Sequence, residues 1–331
     1  MVIKSKLAFV MVFVAATAFA ATPTVRHDDS LDEARRAFEA SDYTKAIQVL
    51  QEAAGKEPKN GDIQLLLAKS YLELQEHDAA IRSAEKAVAL DPQNSVYHEW
   101  LGKAFGEKAD HAGWFSAISL AKKTRKELQT AVELNNRNFA ARQALIEFDC
   151  SAPGLVGGGE DKAQPYIKEL MEMDAAEGHY AAGNCRRQKK DFAEADEEFT
   201  KALESLPKSA ELIYDIGDYA VKRAQPERLL AVAEAGQRVA PNDPRAKFYR
   251  GVGLVLQKEK PEEAERLLQE YANRAPKRSG YPSPAAGHAW LGRLYLNRDQ
   301  TEEAKEEFEN ALRLDPRNKI AQEELKKLKK G

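Results

Sequence analysis

The sequence predicts an all-α fold, an array of about eight helical hairpins stacked side by side. Three observations carry this. The motif His-x-Trp-Leu-Gly-basic-x-aromatic occurs twice, at His98–Phe105 and His288–Tyr295, with a weaker third copy at His179-Tyr180-Ala181-Ala182-Gly183. Proline and glycine are modest, 14 and 19 in 331 residues, and fall at intervals as punctuation between helices. The chain is 43% hydrophobic and 31% charged, a composition that suits amphipathic helices with one solvated face.

The clearest unit runs from Ala285 to Asn318 and carries Leu291-Gly292, Tyr295, Ala304, Phe308, Ala311 and Pro316. Small residues such as Gly292 and Ala304 let the two helices of a unit approach closely. Tyr295, Phe308 and Ala311 fill the space between units. Pro316 ends the second helix, since it lacks an N–H and disfavours helix in the residue before it. The same register recurs upstream. Ala46, Leu50, Ala53 and Pro58 mark the first unit; Leu67, Ala68, Tyr71, Ala80, Ala87 and Pro92 the second. Ala195, Phe199, Ala202 and Pro207 mark the fifth, Gly217, Gly236 and Pro241 the sixth, and Gly251, Ala264 and Pro276 the seventh.

This pattern resembles the tetratricopeptide repeat, whose period is 34 residues. The resemblance implies a right-handed α-α superhelix with units at 27–60, 61–94, 95–138, 139–175, 176–209, 210–243, 244–284 and 285–318. After the last unit, Ile320, Leu325 and Leu328 form a narrow apolar stripe among Lys, Gln and Glu. Residues 319–331 thus read as the polar capping helix that repeat arrays require.

Two units depart from the period. The third is about ten residues too long, with the excess around Asp110–Ser119, and the fourth about five too long, around Ser151–Gly159. Equivalent loops of adjacent units lie on one edge of a solenoid. These two insertions are therefore expected to meet, with Trp114 mostly buried against Leu155 and Val156, beside Phe115 and Ile118. Left exposed, such groups form an apolar patch.

The first residues read as a targeting segment. Lys4 and Lys6 give a positive start, Leu7–Ala16 an apolar run, and Ala18-Phe19-Ala20 the small residues of a cleavage site. The expectation is a signal peptide over 1–20, cleaved between Ala20 and Ala21, a short linker over 21–26, and a mature protein in the periplasm or outside the cell. The apolar run is short for a bilayer span, which needs about 20 residues.

Chemistry-bearing motifs are sparse. Gly157-Gly158-Gly159 precedes Glu160 and Asp161 rather than Gly-Lys-Ser/Thr, and acidic residues repel an anion from a helix N-terminus, so it reads as a turn. The six histidines lack metal-pair spacing; His98, His179 and His288 share the fourth position of their units and read as packing residues of the first helix. Cys150 and Cys185 sit late in the first helices of adjacent units, which leaves both a disulfide and two free thiols open. No nucleophile elbow, HExxH or Ser-His-Asp order is present, so no catalytic residue, metal or cofactor is expected. Lys+Arg is 50 against Asp+Glu 53, which points away from nucleic acid.

The resemblance also implies a binding surface. In this family the second, fifth, ninth, twelfth and thirteenth positions of each first helix line the concave face. There Tyr180, Tyr214 and Phe248 recur at the fifth position and are expected to form an aromatic ladder, flanked by Asn184, Arg187, Asp218 and Arg245. Aromatic anchors among polar groups are what peptide grooves use. The expected function is a non-catalytic scaffold for protein or peptide partners. The alternative is a ligand-binding accessory subunit of an export or transport system, which a closed apolar cavity near Trp114 would favour.

Overall fold

The computed structural model describes residues 27–276 and 279–329, with side chains from Ser30 onward. The expected signal peptide and linker lie outside the described residues. Among those residues all regular structure is helical. Eight antiparallel pairs follow one another: α1 His27–Glu39 with α2 Tyr43–Lys56, α3 Gly61–Glu73 with α4 His77–Leu90, and α5 Ser95–Asp110 with α6 Trp114–Leu134. Next come α7 Phe139–Ser151 with α8 Glu160–Met173, α9 Ala175–Lys189 with α10 Phe192–Glu204, and α11 Ala210–Lys222 with α12 Pro226–Val239. The last pairs are α13 Arg245–Gln257 with α14 Pro261–Arg274 and α15 Pro284–Asn297 with α16 Thr301–Leu314, and α17 Lys319–Leu328 closes the array. A short 3-10 turn, Gly154–Val156, lies between α7 and α8.

The first helix of nearly every unit starts on the same chemistry. Asn60, Asn94, Asn138, Asp174, Ser209, Ser283 and Asn318 each accept a hydrogen bond from a backbone N–H in the first turn of the helix that follows. These side chains satisfy donors that have no partner within the helix. Helix pairs then close on small residues. A Cβ added at Gly292 would lie 2.5 Å from the Phe308 ring, so only glycine admits that ring at this depth. The histidines at the fourth position tie first helix to second: Nδ1 of His98, His179 and His288 lies 2.7, 2.8 and 2.7 Å from Glu127, Glu198 and Glu307.

Two expectations about the insertions need correction. The excess of the third unit is not a loop. It extends α5 to 16 residues and α6 to 21, where other paired helices have 13 to 15. At 1.5 Å per residue, α6 overhangs its neighbours by about 10 Å. The end of α5 meets the second unit, where His111 stacks on His77 at 4.9 Å, but the first turn of α6 stays largely uncovered, so Trp114 is 69% and Phe115 87% exposed rather than buried. Leu155 is also exposed, and of the expected pair only Val156 is covered.

The two insertions do lie side by side. Arg125 of α6 donates from Nε and Nη2 to both carboxylate oxygens of Asp149, at 2.8 and 3.1 Å. The Gly159 N–H donates to the Asp149 carbonyl at 2.7 Å. The glycines are a turn: Gly157 and Gly159 have φ of 100° and 148°, values an L side chain rarely adopts. The cysteines also resolve. Cys150 of α7 and Cys185 of α9 form a disulfide across Cα atoms 5.3 Å apart.

Candidate binding surface

Of the seven residues expected in the groove, four are withdrawn from solvent. Tyr214, Phe248, Arg245 and Asn184 are 1, 2, 2 and 6% exposed. The reason is packing between successive first helices. The Tyr214 ring of α11 stacks on Tyr249 of α13 at 5.6 Å. Phe248 sits edge-on to Tyr249 at 5.4 Å and tilts against Tyr271 of α14 at 4.9 Å. The rings share a register position, as the repeat implies, but that position points into the stack here.

Arg245 is covered by residues 279–283, which lead into α15. Its guanidinium lies between the rings of Tyr214 and Tyr281, 4.2 and 4.3 Å from their centroids. It donates to Glu211 at 2.8 Å, to Asp243 at 2.7 and 3.1 Å, and to the Gly280 carbonyl at 3.1 Å. Although burial opposes the charge, these carboxylates hold the Arg245 pKa above its ordinary value. The same segment reaches the second unit, where Ser279 donates to Glu73 at 2.7 Å. Its signal was present in the sequence as the 41-residue spacing from Pro244 to Ala285.

Tyr180, Arg187 and Asp218 remain half-exposed. Tyr180 Oη and Arg187 Nη1 both donate to one oxygen of Asp215, at 3.0 and 3.1 Å. Asp218 accepts from Tyr249 Oη at 2.7 Å, yet burial raises its pKa. Further along the array, Trp100 takes Lys69 and Lys103 against its ring at 4.5 and 4.7 Å. Burial lowers the Lys69 pKa, and Lys103 bonds Glu99 at 2.5 Å.

The alternative surface, expected as a closed cavity near Trp114, lies between the third and fourth units and is open. An open cleft of about 510 Å3 separates α5 and α6 from α7 and the 3-10 turn. One wall is the stripe Trp114, Ile118 and Ala121 along α6; the other is formed by Phe148 of α7 with Leu155 and Val156. Glu107, Asp110 and Glu147 stand at its rim, exposed. None of the three forms an ion pair among the described residues. Although Glu147 reaches solvent, the protein crowded around its carboxylate raises its pKa, Arg187 and Lys103 offset only part of that, and Gln188 Nε2 donates to it at 3.5 Å. The unit lengths pointed to this place, but the sign of the outcome, open rather than filled, depended on how far the hairpin overhangs.

Comparison with known proteins agrees with the geometry. Tetratricopeptide-repeat descriptions match residues 37–104, 176–208 and 285–318. The chain is a tetratricopeptide-repeat protein. Among solved structures it is similar to yeast Tom70, with a TM-score of 0.56 at 14% identity over 94% of this chain and 64% of that one. A thermophilic tetratricopeptide-repeat protein of Thermus thermophilus aligns at 0.47 and 20%, over 56% of this chain and 94% of that one. The C-terminal part of a repeat protein from Cytophaga hutchinsonii aligns at 0.41 and 18%, over 88% and 98%. At these identities the likeness concerns the fold. No curated protein matches the chain. No helix among the described residues is long and apolar enough to cross a membrane.

Proposed function

We propose that this tetratricopeptide-repeat protein is an exported, non-catalytic scaffold that holds a protein partner in the cleft between its third and fourth units. The observation that carries the reading is the cleft itself. Clefts also open between other units, one of them of the same volume between the fourth and fifth, but only this one among them is walled by strongly exposed large apolar side chains, Trp114 at 69% and Leu155 at 61% exposure. Soluble proteins rarely leave such a surface without an occupant. The trough is open along its length, which suits a polypeptide better than an enclosed small molecule and so favours the scaffold over the accessory subunit.

Export is supported by two features that do not depend on each other. The N-terminal sequence has the charge, apolar run and Ala18-Phe19-Ala20 of a cleavable signal. The Cys150–Cys185 bond is of a kind that persists in oxidising compartments and is rare in the cytosol. In vivo photo-cross-linking tests both halves of the proposal. A cross-linking residue at Ile118 should trap one recurrent protein in a periplasmic or secreted fraction, and one at Glu309 on the outer face of α16 should not. Equal adducts from both positions, or full-length protein retained in the cytosol, would overturn it.

A further inference from the structure

Resting on that reading of the cleft, we infer that its occupant is an amphipathic helix of a partner protein, with an apolar stripe flanked by lysine or arginine. Three features of the cleft lead there. Its walls are helical, and among the described residues no strand edge lines it, so an incoming chain cannot gain backbone hydrogen bonds by adding a strand. A segment docking here must satisfy its own backbone, which a helix does. The second feature is spacing. Trp114, Ile118 and Ala121 follow one another at i, i+4 and i+7 on α6, a straight ridge along one wall that the side-chain rows of another helix can pack against.

The third feature is charge. The rim carries Glu107, Asp110 and Glu147 without ion-pair partners among the described residues, while its cation, Lys103, is already taken by Glu99 at 2.5 Å. Burial raises the Glu147 pKa, which is the cost a bound cation would relieve. Acidic flanks on a partner would be repelled by the same groups. An anionic bilayer would be repelled too, which separates this surface from a membrane-inserting patch despite its exposed tryptophan and phenylalanine.

The test uses the full mature chain and three synthetic helical peptides. The first has a Leu/Phe stripe at helical spacing with Lys on its flanks, the second has Glu in place of every Lys, and the third keeps the composition of the first with the stripe scrambled. Fluorescence anisotropy should show the Lys peptide binding at least about tenfold more tightly than either of the others. Glu107→Gln with Asp110→Gln and Glu147→Gln should remove most of that preference. Ala121→Trp fills the cleft without changing its charge and should abolish binding. Leu155→Ser, at a surface position, should weaken binding with an unchanged helical spectrum even if Ala121→Trp misfolds. Equal binding of the Lys and Glu peptides, or binding unaffected by Leu155→Ser, would overturn the inference, as would co-flotation with anionic vesicles in place of peptide binding. Cross-links from Ile118 to a protein that lacks a basic amphipathic helix would overturn the inference alone and leave the scaffold standing.

Discussion

Units six and seven and units three and four are built from the same repeat and end in opposite states. In the former, one continuous core runs from Ala195 through Tyr214, Tyr249 and Tyr271 to Leu294. It is sealed by Arg245 and residues 279–283. In the latter, the buried residues fall into smaller separate groups, and the longest hairpin among the described residues projects past its neighbours with Trp114 and Phe115 in water. Both regions spend extra residues beyond the period. The seventh unit folds its excess back as a cover, while the third stretches its excess out as helix. An inserted segment thus closes a surface or opens one depending on whether it finds a neighbouring unit of matching height. Repeat stability is a sum over nearest-neighbour interfaces, so the continuous core of units five to eight can hold the array without a filled interface between units three and four.

The largest expected effect lies at the closed end. Tyr214→Ala removes a ring that is 1% exposed and stacked on Tyr249, and should cost on the order of 3–5 kcal/mol in urea unfolding. Trp114→Ala, the same kind of truncation at a larger ring, should change stability by less than about 0.5 kcal/mol, because its indole already faces water. Tyr214→Phe separates ring from hydroxyl. The Tyr214 Oη is buried without a hydrogen-bond partner, so the phenylalanine variant should match or exceed the parent. Equal losses at Tyr214 and Trp114 would erase the contrast between the two regions.

The second expected effect falls at the border between them. The Cys150–Cys185 bond joins α7 to α9 across 35 residues of sequence. Closing a loop of that length restricts the unfolded chain by about 3–4 kcal/mol in the loop-entropy account. Reduction, or Cys150→Ser with Cys185→Ser, should destabilise the protein by up to that amount. Hydrogen exchange should rise in α7, α8 and α9 and stay flat in α11–α15, since each unit contacts only its neighbours. Uniform loss of protection would mean the array unfolds as one body and the regional comparison has no thermodynamic content.

The architecture was legible because it rests on residue types that recur in register. Gly292 and Ala304, Phe308 and Pro316 each have one job, and the job leaves a periodic mark. The candidate binding surface was not legible by the same route. The fifth position holds Tyr180, Tyr214 and Phe248, and register places them in line. Whether a ring at that position faces the hollow or the next helix depends on what stands opposite. For Tyr214 that is Tyr249, a residue outside the set of inner-face positions. Burial of Arg245 needed a segment whose only sequence trace was a lengthened gap before Ala285. The cleft required knowing that ten surplus residues become helix. The Asp149 carboxylate that anchors Arg125 is 0% exposed, and no local pattern marks it as different from the surface acids around it.

The smallest expected effect separates the two kinds of acid in the molecule. Glu198 of α10 is partly buried, which by itself raises its pKa, but hydrogen bonds from His179 and Lys201 outweigh that and hold it below its ordinary value. Glu147 at the cleft is raised by burial. The signs then differ. A depressed carboxylate stabilises the fold above its unfolded pKa of about 4.3 and loses that contribution as pH falls through its folded value. A raised one opposes folding while ionised, and the opposition vanishes as pH falls below about 4. At pH 7, Glu198→Gln should therefore lower stability and Glu147→Gln should raise it. Each change should stay within about 1 kcal/mol, because both groups retain some solvent. By pH 3 the two variants should converge on the parent. Unfolding curves at pH 7 and pH 3 decide the matter. A destabilised Glu147→Gln at pH 7 would show that contacts within the fold, such as the 3.5 Å hydrogen bond from Gln188, outweigh the cost of burying its carboxylate. It could not then be one of the charges that the cleft holds ready for a basic helix.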